Sequence, residues 1–230
     1  MKKIYAFIFA RGGSKGVIGK NKKIFAGIPL IGHSLELANN LDEVVRVFVS
    51  TDCDEIAAIS REYGAEIIKR PNYLAMDNSS EWDAWQHAIN HVNNNYESFD
   101  HFLSLPCTAP LRIDKDVLKC FKALKSNVDI VLTMTKAKRS PWFNMVQKKI
   151  NGQLKLVNSG IQLNRRQDAP YCYDLTTVAY FAKTEFILKA SSLWDGNVFG
   201  VEIPEERAID IDTLLDFEIA SFLLERNKLD

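Results

Sequence analysis

The feature that most limits what this chain can fold into is an alternation. Short apolar runs rich in Ile, Val and Phe, namely IYAFIF (4–9), VVRVFVS (44–50), AEIIK (65–69), HFLSL (101–105) and DIVLTM (129–134), read as strands buried on both faces. Between them lie IGHSLELANNL (31–41), CDEIAAISREYG (53–64), SEWDAWQHAINHV (80–92) and KDVLKCFKAL (115–124). Each has apolar residues three and four apart and opens near a Ser, Asp or Thr able to cap a helix. The expected fold is therefore α/β, a mostly parallel open sheet flanked by helices. With 230 residues, 47% of them hydrophobic, the chain can bury a sizeable core as one unit.

Beyond residue 135 the rhythm changes. KRSPWFNMVQKKINGQLKLV reads as two extended segments joined at an Asn-Gly turn, and TTVAYFA (176–182) returns as a buried strand. Residues 138–172 are polar and carry Pro141, Pro170 and the run NRRQDAPYCYD, so they are expected to form an arm used for dimerisation rather than a separate fold. In AIDIDTLLDFEIASFLLE, Asp212 or Thr213 can cap a terminal amphipathic helix.

Charge and cysteine usage exclude several functions. Twenty-nine Lys plus Arg balance 29 Asp plus Glu, which removes the long-range field of a nucleic-acid or anionic-membrane binder. Cys53, Cys107, Cys120 and Cys172 show neither a C-x-x-C pair nor a dense disulfide framework, and read as reduced thiols. The apolar run behind the N-terminal lysines ends at Arg11, too short for a signal peptide or a membrane span, so the expected compartment is the cytoplasm.

Positive charge is concentrated instead in FARGGSKGVIGKN (9–21), which leaves the first strand with Gly12, Gly13, Gly16 and Gly19 among Arg11, Lys15 and Lys20. Backbone N–H groups freed by glycine, helped by cations, suit phosphate, and the carboxyl end of a strand in an open sheet is where ligands bind. Walker A requires a glycine where Ser14 stands and Ser or Thr where Asn21 stands. The dinucleotide fingerprint requires glycines two and then three apart, and no pair here is two apart. A triphosphate-type anion held by a different loop remains.

The string ARGGSKGVIGKN followed by AGIPLIGHSL resembles the signature of the acylneuraminate cytidylyltransferase family, the enzymes that activate sugar acids with CTP. The resemblance continues through STDCDEIA (50–57), YGAEIIKRP (63–71), LPCTAPLR (105–112), RRQD (165–168) and IPEERAIDIDTLLDF (203–217), in order over nearly the whole chain. It implies a Rossmann-like nucleotidyltransferase that joins CMP to a 2-keto sugar acid and releases pyrophosphate. Arg11, Gly12, Gly13, Ser14, Lys15, Lys20 and Asn21 would then form the nucleotide loop, with Arg70 also on the nucleotide. Arg11 and Lys20 would stabilise the leaving group, and Asp210 could take the proton of the attacking hydroxyl.

Asp210 and Asp212 alternate in DIDT, which along an extended strand puts both carboxylates on one face about 7 Å apart. On its own the pair reads more simply as a cap and a solvated loop residue. The resemblance makes it the metal pair, with Mg2+ as the cofactor. Arg166, or as a second choice Arg165, resembles the arginine that reaches the substrate carboxylate, usually in the neighbouring subunit of a dimer, so the arm would complete the neighbour's site.

Two departures bear on the substrate. Leu105 stands where many relatives have a sugar-facing Gln, and Asn144 where they often have Lys, which points away from N-acetylneuraminate toward another nonulosonate. His87 and His91, four apart, lack a third zinc ligand and read as packing or surface residues. Among Tyr171, Tyr173, Tyr180 and Phe199, core packing is the simpler reading than a sugar pocket. Two alternatives stand beside the main one: a metal-dependent glycosyltransferase, since D-x-D sites serve that class, and a nucleotide-binding protein without catalysis.

Overall fold

The computed structural model describes residues 2–14, 16–160, 163 and 165–227; the expectation for Lys15 lies outside them. From the amino end the chain runs through β1 (Ile4–Phe9), the small hairpin β2 (Ile24–Phe25) and β3 (Ile28–Pro29), α1 (Leu30–Asn40), β4 (Val44–Thr51), α2 (Asp54–Glu62) and β5 (Glu66–Lys69). It continues through α3 (Glu81–Asn95), β6 (His101–Ser104), α4 (Asp114–Ala123), β7 (Ile130–Lys136), the hairpin β8 (Val146–Lys148) and β9 (Leu154–Leu156), β10 (Tyr173–Lys183), α5 (Thr184–Lys189), β11 (Val198–Glu202) and α6 (Leu214–Asn227).

Seven strands form one sheet in the order β11-β7-β10-β6-β1-β4-β5, parallel except for β10, which pairs antiparallel with both β6 and β7. Period-two alternation explains the burial of both faces. Ile4, Ala6 and Ile8 of β1 pack in the layer that includes Ile31 and Leu35 of α1, Ile56 of α2 and Val117 of α4. Tyr5 and Phe7, one residue out of phase, meet Trp82, Trp85 and Ile89 of α3 and Ile187 of α5. No helix among the described residues is long and apolar enough to cross a membrane.

The strand order creates the site. From β1 the chain steps to β4 and β5 on one side, then crosses back to place β6 on the other side of β1. The carboxyl ends of β1 and β6 thus border a switch point, where the loops diverge and leave a crevice.

Residues 138–172 leave the sheet between β7 and β10, where the N–H of Ala137 donates to the carbonyl of Cys172 (3.0 Å). The expected hairpin is present as β8 and β9, with Gly152 at φ 85° in its turn, a backbone region that favours glycine. The terminal helix also starts as expected: Thr213 Oγ1 accepts from the N–H of Asp216 (3.2 Å), while Asp216 Oδ2 accepts from the N–H of Thr213 (2.7 Å), a reciprocal cap.

One buried ion pair ties α4 to the segment that leads to DIDT. Arg207 donates through Nε (2.8 Å) and Nη2 (2.9 Å) to Asp116, which is 0% exposed. Replacing Arg207 by Leu leaves that carboxylate buried without its partner, at a cost of about 3–5 kcal/mol. Thermal denaturation should show Tm falling by about 10 °C.

Candidate active site

A cleft of about 480 Å3 opens at the switch point. Its walls come from the loop after β1 (Arg11, Ser14, Gly16, Lys20, Asn21), the loop after β6 (Pro106, Cys107, Thr108), and Arg70 after β5. The start of α3 (Glu81), Thr177 and Tyr180 of β10, and the carboxylates Asp210 and Asp212 complete it.

The loop after β1 is held by side chains that bond its backbone. Gly12 N–H donates to Asp52 Oδ1 (2.9 Å), and the buried Asn21 donates from Nδ2 to the carbonyl of Arg11 (3.1 Å). Lys20, far away in sequence, reaches the acidic segment: Nζ donates to the carbonyl of Ile211 (2.5 Å) and to Asp212 Oδ1 (3.0 Å). Gly16 makes this clasp possible, because a Cβ there would stand 2.0 Å from the carbonyl oxygen of Asp212. Gly16→Ala must therefore lift the loop off the acids. Steady-state kinetics should show KM for the nucleotide raised about tenfold, with Tm close to the parent's.

Arg11 pairs with Asp77 (2.8 Å) at the rim. Arg70 is buried, donates through Nε to Ser50 Oγ (3.1 Å) and through Nη2 to the carbonyl of Ser50 (2.8 Å), and lies over the Phe9 ring. Burial lowers its proton affinity, and the nearby Asp52 charge opposes that.

Asp210 is the most constrained acid of the site. Its Oδ1 is buried without a hydrogen-bond partner. Burial raises its proton affinity; the Thr108 hydroxyl and Lys20 oppose this, while the charge of Asp212 adds to it. Ile211 N–H donates to the carbonyl of Thr108 (2.8 Å), anchoring the acidic segment to the loop after β6.

DIDT forms no strand and lies outside the sheet, so the expected strand is corrected to an irregular connection with a bend at Thr213. It still turns both carboxylates into the cleft. An orphaned buried carboxylate oxygen beside a second carboxylate fits a hard divalent cation that takes most of its ligands from phosphate and water. The lining as a whole agrees: Arg11, Lys20 and Arg70 face Asp77, Glu81, Asp210 and Asp212, so a polyphosphate finds charge balance there only together with a cation. Among the described residues no group of three or more His, Cys, Asp or Glu side chains is placed to hold a metal, and His87 and His91 form none.

The three residues expected to read the sugar are not brought together with these. Leu105 is 0% exposed in the core behind the cleft, because its position continues the inward phase of β6, so its side chain faces no ligand. Asn144 lies in the arm, where Oδ1 accepts from the N–H of Ser140 (2.7 Å). Arg166 also lies in the arm, donating from Nη2 to the carbonyl of Lys138 (2.6 Å) and lining a separate hollow with Lys136 and Arg139. Arg165 is engaged by Asp168 at 2.9 Å.

Gly12 and Gly13 contribute backbone rather than cleft surface; Gly12 backs onto Cys53. Of the four aromatics read as packing residues, Tyr180 packs on Trp85 and also lines the cleft, whereas Tyr171, Tyr173 and Phe199 are exposed. Asp77, Glu81 and Thr177, which carry no motif, also line the cleft, as does Thr108 of the block LPCTAPLR.

Known proteins match this arrangement. A family model described as cytidylyltransferase matches residues 5–198. The chain is 33% identical over 232 residues to post-translational flagellin modification protein B of Campylobacter coli, covering 100% of this chain and 98% of that protein. The same identity and coverage hold for CMP-N,N'-diacetyllegionaminic acid synthase of Campylobacter jejuni. A solved CMP:2-keto-3-deoxy-manno-octonic acid synthetase complexed with CTP shares the fold at a TM-score of 0.72 and 18% identity, covering 98% of this chain and 99% of that one. Fold, cleft and matches converge: the chain is a nucleotidyltransferase that belongs to the cytidylyltransferase family, where its motifs had pointed.

Proposed function

We propose that the protein activates a 2-keto sugar acid of the nonulosonate class with CTP, giving the CMP-sugar and pyrophosphate. The observation that carries this reading is the meeting of Lys20 with Asp212 across 192 positions of sequence in one cleft at the switch point. It joins a phosphate-holding loop to a carboxylate pair.

In the reaction the anomeric hydroxyl oxygen forms a bond to the α-phosphorus, and the bond from that phosphorus to the β-phosphate bridging oxygen breaks. Arg11 and Lys20, near the β- and γ-phosphates, stabilise charge that grows on the leaving pyrophosphate. Asp210 accepts the hydroxyl proton, a role suited to a carboxylate whose proton affinity is raised by burial. Asp210 and Asp212 would hold Mg2+, which supplies charge neutralisation of the phosphates and acidifies the attacking hydroxyl. Asn21 and Asp52 keep the loop in register by their bonds to Arg11 and Gly12.

Arg166 lines a different hollow and not this cleft. A homodimer, in which the arm brings Arg166 and Asn144 to the other subunit's sugar acid, accounts for its position. An Arg fork then takes the substrate carboxylate. Sedimentation should give a mass twice that of the chain.

Pyrophosphate release with CTP, ATP or UTP and Mg2+, measured against a panel of nonulosonic and octulosonic acids, tests the whole reading. CTP-dependent release with at least one acid is expected; none with any acid contradicts it.

A further inference from the structure

Strand β10 is irregular where it borders the cleft. Thr176 stands opposite Thr133 of β7, yet Tyr180 stands opposite Leu132, so Thr177, Val178 and Ala179 have no counterpart there. On the other side β6 offers none either, since its pairing with β10 begins at Ser104 and Tyr180. A bulge of this kind re-aims side chains. Residues three apart on a regular strand point to opposite faces, whereas Thr177 and Tyr180 both line the cleft. Val178 packs with Ala109 and Ile203, and Ala179 joins the main core.

One side chain of β7 closes the bulge. Thr133 is 0% exposed and does not line the cleft. Its Oγ1 accepts from the N–H of Ala179 (3.1 Å) and from Thr176 Oγ1 (2.9 Å). Its own proton reaches the carbonyl of Thr176 or of Ala179, both at 3.1 Å. Polar groups that the bulge withdraws from the strand ladder thus meet again at a single hydroxyl. Valine has nearly the same shape and suits a buried strand, so packing alone does not account for a threonine here.

What the bulge presents is a hydroxyl beside the acid of the site. Thr108 Oγ1 donates to Thr177 Oγ1 over 3.4 Å, linking the bulge to the loop after β6. Both hydroxyls act on the Asp210 carboxylate and favour its ionised form. Thr177 is aimed by the backbone that carries it, and that backbone is held by Thr133.

Resting on the reading of the protein as a CTP-dependent sugar-acid enzyme, we propose that Thr133 is a positioning residue for the reaction, its hydroxyl holding the β10 bulge in the phase that sets Thr177 against Asp210. Asp210 thereby keeps the orientation in which it meets the attacking hydroxyl.

The test is a cycle of four proteins, the parent, Thr133→Val, Thr177→Val and the double variant, with Thr133→Ser as the conservative control. CTP-dependent pyrophosphate release at saturating substrate, well below each Tm, gives kcat. Each single change should lower kcat about tenfold, with KM for CTP within about threefold of the parent's, because the nucleotide loop is untouched. The double variant should fall no more than about threefold below the slower single one, whereas independent effects multiply to about a hundredfold. Thr133→Ser keeps the hydroxyl and should run at a near-parental rate. Thr133→Cys, whose thiol fits the space and bonds weakly, takes the place of Thr133→Val if valine prevents folding. Threonine-methyl NMR follows the geometry without turnover: the Thr177 and Thr108 signals should move in Thr133→Val and stay in Thr133→Ser. The proposal is overturned if Thr133→Val keeps kcat within about twofold of the parent, if its effect multiplies with that of Thr177→Val, or if serine loses as much as valine. A parent silent with every acid contradicts the enzyme reading instead, and the methyl spectra then decide, since unmoved Thr177 and Thr108 signals in Thr133→Val overturn the role of Thr133.

Discussion

Substituting Asp210 by Asn lowers the rate of CMP transfer by about two to four orders of magnitude while leaving the folded protein at least as stable as the parent. The first half follows from position. Asp210 shares the cleft with Asp212 and the loop after β1, so on the proposed mechanism the amide would remove both the proton acceptor and one charge of the pair that would hold Mg2+. The second half follows from the orphaned Oδ1. Burial makes the folded protein bind the Asp210 proton more tightly than the unfolded chain does, so the ionised form weighs against folding at neutral pH. That cost fades as pH falls through the raised pKa, where the folded carboxyl is neutral. Melting curves without added metal should therefore place Asp210→Asn at or above the parental Tm at pH 7, with the gap closing on acidification. A variant several degrees less stable at pH 7, or one keeping more than about a tenth of parental activity, contradicts this account.

Lys20→Met is expected to cost about two to three orders of magnitude in kcat, the usual effect of removing one preorganised donor from developing charge. The Nζ sits between the carbonyl of Ile211 at 2.5 Å and Asp212 at 3.0 Å, a space for a compact ammonium. Lys20→Arg should recover little, since the planar guanidinium cannot enter that space without displacing the acidic segment. Single-turnover measurements with pre-bound nucleotide separate the effect on chemistry from any loss of affinity. Rescue by Arg to near-parental rates would show that charge alone suffices there.

Much of the architecture was legible because it rests on local pattern. The phase of Ile4, Ala6 and Ile8 against Tyr5 and Phe7 encodes a strand buried on both faces, and INGQ encodes the hairpin turn at Gly152. The small hairpin of β2 and β3 escaped, since two-residue strands leave no period to read. So did the absence of a strand at DIDT, because alternation in sequence does not require a sheet partner.

The cleft was legible where chemistry clusters along the chain, as in the loop after β1, and not where it is assembled from single residues. Asp77, Glu81 and Thr177 look like ordinary turn, helix and strand positions until the fold gathers them around the cleft. Leu105 was misplaced for a related reason. A motif position predicts which side chain replaces which, whereas the pleat decides the side of the sheet to which it points.

The way residues 138–172 leave and rejoin the sheet has an evolutionary consequence. Their two ends are zipped together by adjacent strands, with Tyr173 opposite Lys136 and Ala137 bonded to Cys172. Besides that pairing, Lys138 near its start bonds Glu205 ahead of the acidic segment, so the body meets this insertion chiefly at its two ends. Changes of length between those anchored ends are thus expected to be absorbed outside the sheet, which would let the segment vary while the strands bordering the cleft keep their register.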